Sequence, residues 1–223
     1  MKPNYDAVIF DHDGTIVDSA PGILKSANAA FAELGYPAMD MAQFMPFLGP
    51  PLQDSFTTLA GMTREEAQRA IAVYRREYDA GNCFVLRVFD GMERLLRSLR
   101  AAGVKTAVAS SKPTVFLEKV LGGIGLRGLF DAVCGVALDR LHGGKDDIIA
   151  QAARQCGVPL ARCIMVGDRR FDVEGAKALG IPCAGVLYGY GSREELETAG
   201  ADFLVASCGA LEEICLQEEK QDG

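Results

Sequence analysis

Two aspartates, Asp11 and Asp13, stand directly after the apolar run Ala7-Val8-Ile9-Phe10 and are followed by Gly14-Thr15. Residues two apart in extended chain point to the same side, so these carboxylates would repel one another unless something compensates. A hard cation does so. Asp168 would bring a third oxygen, and a few protein ligands completed by water suit Mg²⁺ better than Ca²⁺. Such an ion would also hold a phosphate oxygen and draw off its charge. With a phosphate group bound, the Asp11 carboxylate could attack it and form an acyl phosphate, splitting the reaction into two displacements. Asp13, beside the attacker, is placed to protonate the departing alcohol and later take a proton from water. The Ser110 hydroxyl, the Lys145 ammonium and backbone amides around His12, Gly14 and Ser111 would bind the phosphate oxygens. Lys112 competes with Lys145 for that task. Gly143 and Gly144 favour Lys145, because glycine lets the backbone come close.

These residues are far apart in sequence, so a fold must collect them. Short, continuously apolar runs read as strands: Ala7–Phe10, Val104–Ala109, Ala132–Val136, Cys163–Val166, Cys183–Leu187 and Phe203–Val205. Uninterrupted apolar strands suit a parallel sheet buried on both faces. Periodic segments closed by glycine alternate with them: Met92–Ala102, Ile148–Cys156 and Val173–Leu179. That alternation predicts a doubly wound α/β sheet. Ligands of such sheets bind beyond the carboxyl ends of the strands, where Asp11–Thr15, Ser110-Ser111-Lys112 and Gly167-Asp168 fall, with Asp172 following.

From about 16 to 87 the rhythm breaks, and no strand is expected. One helix carries Ile23, Ala27, Ala30, Phe31 and Leu34 on one face and stops at Gly35; another starts at the capping box Thr63-Arg64-Glu65-Glu66 and runs to about Tyr78. An insert of roughly 70 residues is too long for a βα loop. The expected division is a core of 1–15 and 88–223 with a helical cap of 16–87, hinged near 15–18 and 82–90. Most aromatics of the insert read as helix-packing core. Arg64, Arg75, Arg76 and Arg87 mostly suit a solvated face, although any of them could meet a substrate carboxylate.

The chain has 223 residues, 49% of them apolar, and a net charge of −7. That balance argues against a broad nucleic-acid footprint but leaves room for a small anionic substrate beside a metal. No secretory signal and no run near the roughly 20 apolar residues of a membrane helix is present. The seven cysteines show no C-x-x-C pair and read as reduced, mostly buried thiols of a cytoplasmic protein.

Each polar residue also has an innocent reading. Asp13-Gly14 could be turn chemistry, Asp168 and Asp172 helix N-terminal charges, and Ser110 a helix cap ahead of Pro113. Their convergence on one sheet edge favours a site. At this point the chain resembles the haloacid dehalogenase superfamily of phosphatases along nearly its whole length. Asp11-His12-Asp13-Gly14-Thr15, Val108-Ala109-Ser110-Ser111-Lys112, Lys145 and the run Val166–Ala176 match that family's four motifs in order. The resemblance implies Asp11 as nucleophile, Asp13 as acid/base, and Ser110 and Lys145 on the phosphate. It places Mg²⁺ on Asp11, the Asp13 backbone carbonyl and Asp168, with Asp172 supporting. Gly14, Thr15, Ser111 and Lys112 then fall on the phosphate or substrate side.

Leu48-Gly49-Pro50-Pro51-Leu52 and Gly185–Leu196 are similar to phosphoglycolate phosphatases and bacterial 5′-nucleotidases, so the implied substrate is a small phosphorylated metabolite. A phosphosugar mutase and a non-catalytic phosphate-binding protein are the competing readings, and monomer or homodimer stays open. Three departures from the family pattern are His12 at a usually apolar position, Ser111 where Asn is frequent, and Asp90-Gly91 in place of Pro-Gly. His12 is expected to point away from Asp11 and Asp13.

Overall fold

The computed structural model describes residues 3–138 and 144–216. The chain runs β1 (Ala7–Phe10), β2 (Val17–Asp18), α1 (Ala20–Leu34), α2 (Met41–Phe44), α3 (Leu52–Asp54), α4 (Arg64–Asp79), β3 (Arg87–Val88), α5 (Met92–Ala101) and β4 (Lys105–Pro113). It continues through α6 (Thr114–Gly123), β5 (Ala132–Val136), α7 (Lys145–Cys156), β6 (Cys163–Gly167), α8 (Arg170–Ala178), β7 (Cys183–Val186), α9 (Arg193–Ala199), β8 (Phe203–Val205) and α10 (Cys208–Leu216). Six strands form one parallel sheet in the order β5-β4-β1-β6-β7-β8. The expected doubly wound α/β architecture is therefore present.

Both faces of the sheet are covered, which is why its strands are apolar without alternation. Val8, Phe10, Val108, Ile164 and Val166 pack with Leu95, Leu96 and Leu99 of α5 and Leu211 of α10. Ala7, Ile9, Ala107, Cys163 and Met165 face the other way, against Ile149 and Ala152 of α7 and Val173 of α8. All seven cysteines are free, and six are buried. No helix among the described residues is long and apolar enough to cross a membrane.

The helical stretch between β2 and β3 builds an apolar cluster of its own. Thr63 caps α4 as its sequence suggests: its hydroxyl accepts from the Glu66 amide at 3.2 Å, while its own amide donates to the Glu66 carboxylate at 2.8 Å. Phe31 of α1 makes edge contacts with Phe47 and Phe56 at centroid separations of 6.0 and 5.7 Å. Phe116 and Val120 of α6 join the same cluster, so the stretch seats on the sheet layer through α6.

Two features differ from the sequence expectation. Val17 and Asp18 pair antiparallel with Val88 and Arg87, a two-residue ladder across the two ends of the helical stretch. So short a pairing carries no readable periodicity. Strand β4 also continues past Ala109 to Pro113, with a register shift: Ala109 pairs with Cys134 but Pro113 with Val136. Ser110, Ser111 and Lys112 therefore stand opposite Gly135 alone, a bulge of the kind that re-aims side chains beside functional sites.

Phe31 is fully buried. Phe31→Ala is expected to destabilise the protein by about 3–5 kcal/mol, measured by urea denaturation. A loss below about 1 kcal/mol would show that the helical stretch does not depend on this aromatic cluster.

Candidate active site

β1 lies between β4 and β6, so successive connections leave it toward opposite edges of the sheet. A crevice opens at such a switch point beyond the strand ends. Asp11 stands there, its amide donating to the Val166 carbonyl of β6 at 2.8 Å. The chain then turns through Gly14 at φ +79°, where a Cβ would overlap the Asp168 carboxylate. Glycine is needed at 14 both for its left-handed backbone and for this approach.

Asp11, Asp168 and Asp172 each offer an oxygen within 4.8 Å of the others, and Asp168 and Asp172 are buried. Burial pushes the Asp168 carboxyl well up, and the charges of Asp172 and Asp11 push it further. Burial also raises Asp172; Lys145 opposes this and Asp11 adds to it. Lys145, the first residue of α7, lies 3.0 Å from Asp11 Oδ1 and 2.7 Å from Asp172 Oδ1. Burial works against its charge, but the two carboxylates prevail and keep it protonated. One lysine for three crowded carboxylates leaves negative charge over. An all-oxygen donor set of this kind fits a hard divalent cation.

Asp13 takes a different place. Its Oδ1 accepts from the Ser19 hydroxyl at 2.5 Å, from the Lys112 ammonium at 2.6 Å and from His12 Nδ1 at 3.0 Å. Burial alone would raise this carboxyl, but Lys112 and His12 outweigh it and hold it below the usual carboxylate range. His12 does not point away as expected. The turn at Gly14 ends the extended alternation, and the buried imidazole folds onto Asp13. Burial and the Lys112 charge keep that imidazole neutral, by lowering its pKa. The Asp13 side chain is thus not part of the three-carboxylate cluster.

Asp11, Asp13, Ser110, Ser111, Lys112, Lys145 and Asp172 all line one pocket of about 150 Å³. Ser110 does not cap α6, whose N-cap residue is Pro113. Gly14 and Thr15, expected on the phosphate side, are buried and do not line the pocket; the Thr15 hydroxyl turns toward Asp168 Oδ1 at 3.4 Å. Gly144 is the N-cap of α7, whereas His142 and Gly143 lie outside the described residues.

Further contributors come from the helical stretch, where sequence singled out Arg75 and the Leu48–Leu52 run but not Gln53. Leu48, Pro51, Gln53, Tyr74, Arg75 and Tyr78 close the pocket from the helical stretch. Tyr190, after β7, joins both parts of the molecule. Its amide donates to Asp168 Oδ2 at 2.7 Å, and its hydroxyl accepts from the Ser19 and Ala20 amides at 2.8 and 2.9 Å. The same hydroxyl donates to Asp18 Oδ1 at 3.1 Å. Tyr190 lies in the Gly185–Leu196 run, and its flanking glycines are a local hint: a Cβ at Gly189 would overlap Asp168 and the Gly14 carbonyl.

A family model described as haloacid dehalogenase-like hydrolase matches residues 8–186. A 5′-nucleotidase of Pseudomonas aeruginosa is 34% identical over 94% of this chain and 95% of its own length. A plasmid-encoded phosphoglycolate phosphatase of Cupriavidus necator is 35% identical over 92% of this chain and 90% of its own. Among solved structures, a predicted phosphatase from Clostridium acetobutylicum superposes with a TM-score of 0.88 at 40% identity, covering 94% of this chain and 97% of that one.

The Tyr190 hydroxyl takes the amides of Ser19, the N-cap of α1, and of Ala20, its first residue, and so serves as a cap from outside the helix. Tyr190→Phe is expected to lower stability by about 1–2 kcal/mol, read from thermal melting. An unchanged melting temperature would mean that this link across the molecule contributes nothing.

Proposed function

This chain belongs to the haloacid dehalogenase-like hydrolases, and from that premise we propose that it is a Mg²⁺-dependent phosphatase acting on a small phosphomonoester through a phospho-aspartate at Asp11. The reading rests on one observation above all. Three carboxylates and Lys145 crowd together at the sheet's switch point, and Asp11, Asp172 and Lys145 line a small pocket closed by the helical stretch.

Asp11, Asp168 and the Asp13 backbone carbonyl would hold the cation, with Asp172 oriented by Lys145 and by the Arg169 amide at 3.1 Å. Bound there, the ion would neutralise phosphate oxygens and polarise the phosphorus. Asp11 forms the bond to phosphorus as the leaving alcohol departs. Ser110, Lys145 and the Ser111 amide hold the phosphate oxygens. An incoming phosphate competes with Asp13 for Lys112. Relieved of that ammonium, Asp13 can carry the proton that the alcohol takes and the hydrolytic water returns. The segment 16–87 acts as a cap that excludes water during the first step, moving about the ladder of Val17-Asp18 with Arg87-Val88.

The relatives' names divide the substrate choice between phosphoglycolate and nucleotides. A pocket of about 150 Å³ lies well below the roughly 300–1,000 Å³ common for drug-sized ligands. A compact leaving group such as glycolate suits that volume and is the first reading. Nucleoside monophosphates remain the second reading because the Pseudomonas aeruginosa relative bears the 5′-nucleotidase name.

Phosphate release from 2-phosphoglycolate, nucleoside monophosphates, hexose phosphates and pyrophosphate should separate these readings. Turnover is expected to vanish with a chelator and return with Mg²⁺; activity indifferent to the metal would refute the cation's role. Asp11→Asn should retain the fold by circular dichroism and lose at least about 10³-fold in kcat, since an amide is a poor nucleophile. Near-wild-type turnover in that variant would sink the phospho-aspartate route.

A further inference from the structure

Among the described residues, four cations line the pocket, and three of them have acidic partners. Lys112 meets Asp13 at 2.6 Å, Lys145 meets Asp11 and Asp172, and Arg169 meets Glu195 at 2.9 Å. Arg75 has no carboxylate partner among the described residues, and its Nε is buried without a hydrogen bond. The neighbouring arginines on α4 are spent differently: Arg76, for example, pairs on the surface with Glu33 and Glu77.

Arg75 is not alone in lacking partners. Gln53 is 8% exposed, lines the same pocket, and has neither its amide nitrogen nor its oxygen satisfied among the described residues. The hydroxyl of Tyr78, 1% exposed, is likewise without a partner. Buried polar groups are nearly always paired, so three such groups on one pocket require an explanation. Helix geometry gathers them. Ile71, Tyr74, Arg75 and Tyr78 stand at i, i+3, i+4 and i+7 on α4, one face of a helix. Gln53 comes from α3, while Phe47, Leu48 and Pro51 make the remaining wall apolar.

We infer that Arg75, with Gln53 and Tyr78, forms a subsite for a carboxylate on the leaving group of the substrate, which rests on the phosphatase reading above. A guanidinium offers paired donors in a plane, the geometry that a carboxylate accepts. The Gln53 amide and the Tyr78 hydroxyl supply further donors to the same oxygens. The reacting phosphate is served by Ser110, Ser111 and Lys145, which line the same pocket as Asp11, with Lys145 3.0 Å from its carboxylate. A phosphomonoester with a carboxylate one or two carbons from the ester oxygen would thus meet cationic groups at both ends. Binding energy at the carboxylate end then helps to orient the phosphate at Asp11.

The test compares kcat/KM for 2-phosphoglycolate and for its neutral amide, which keeps the shape and removes the charge. The wild-type protein with Mg²⁺ is expected to prefer the acid by about 10- to 100-fold, the value of a hydrogen-bonded charge. Arg75→Gln should bring that ratio to within about threefold of unity, and Arg75→Lys should fall between, retaining charge without the paired donors. Gln53→Met should reduce the ratio partially, and melting curves check that each variant is folded. A wild-type ratio near unity overturns the subsite. So does a ratio unchanged in Arg75→Gln with both rates reduced, which would move Arg75 to the phosphate. Faster turnover of nucleoside monophosphates than of either ester reassigns the subsite to a nucleoside and overturns the carboxylate. Failure to release phosphate from any ester instead refutes the phosphatase reading on which the subsite stands.

Discussion

Crowding of negative charge at the end of one strand governs this molecule. Asp11, Asp168 and Asp172 come within 4.8 Å of one another, two of them fully desolvated. Such an arrangement persists only if the surroundings oppose its repulsion. Lys145 does so from the start of α7, with contacts of 3.0 and 2.7 Å to two of the three. Backbone amides of Arg169 and Tyr190 do so with hydrogen bonds of 3.1 and 2.7 Å. The parallel sheet delivers these groups from four separate strand ends to one point. Its central position for β1 follows from the two-sided burial that makes that strand wholly apolar.

Around this charge the two parts of the molecule meet through polar links over apolar contacts. Tyr190 touches Asp168 with its amide and the Ser19 and Ala20 amides at the start of α1 with its hydroxyl. Lys112 spans from the Asp13 carboxylate to the ring of Tyr78, 5.1 Å from its centroid. Tyr78 in turn packs edge-on against Phe116 of α6 at 5.4 Å. The groups nearest the chemistry are therefore also those that seat the helical stretch. A change in either is felt by the other, because a buried side chain with two partners cannot be moved without disturbing both.

Much of this was legible in sequence, for identifiable reasons. Six apolar strands separated by glycine-closed helices announced the sheet, because burial on both faces writes itself as uninterrupted apolar runs. The Thr63–Glu66 capping box marked the start of α4 because its chemistry is local. The Asp11–Gly14 run stood out because two carboxylates two residues apart repel unless something compensates, and the turn at φ +79° explains the glycine that follows them. The bulge at Ser110–Lys112 and the ladder of Val17-Asp18 with Arg87-Val88 escaped, since each depends on a partner strand far along the chain. His12 lies against Asp13 rather than away from it for a related reason. Alternation holds only while the chain stays extended, and Gly14 turns it one residue after Asp13.

The sequence by itself determined the element types, the doubly wound sheet and the identity of the acidic and basic groups at its edge, because those follow from periodicity and local chemistry. Tertiary structure alone decided which cation meets which carboxylate: Lys145 between Asp11 and Asp172, Lys112 on Asp13. It also decided which of several arginines faces the pocket and that Tyr190 ties α1 to Asp168. Such pairings depend on distances between residues separated by tens to hundreds of positions, and only the packed sheet and helices fix those distances.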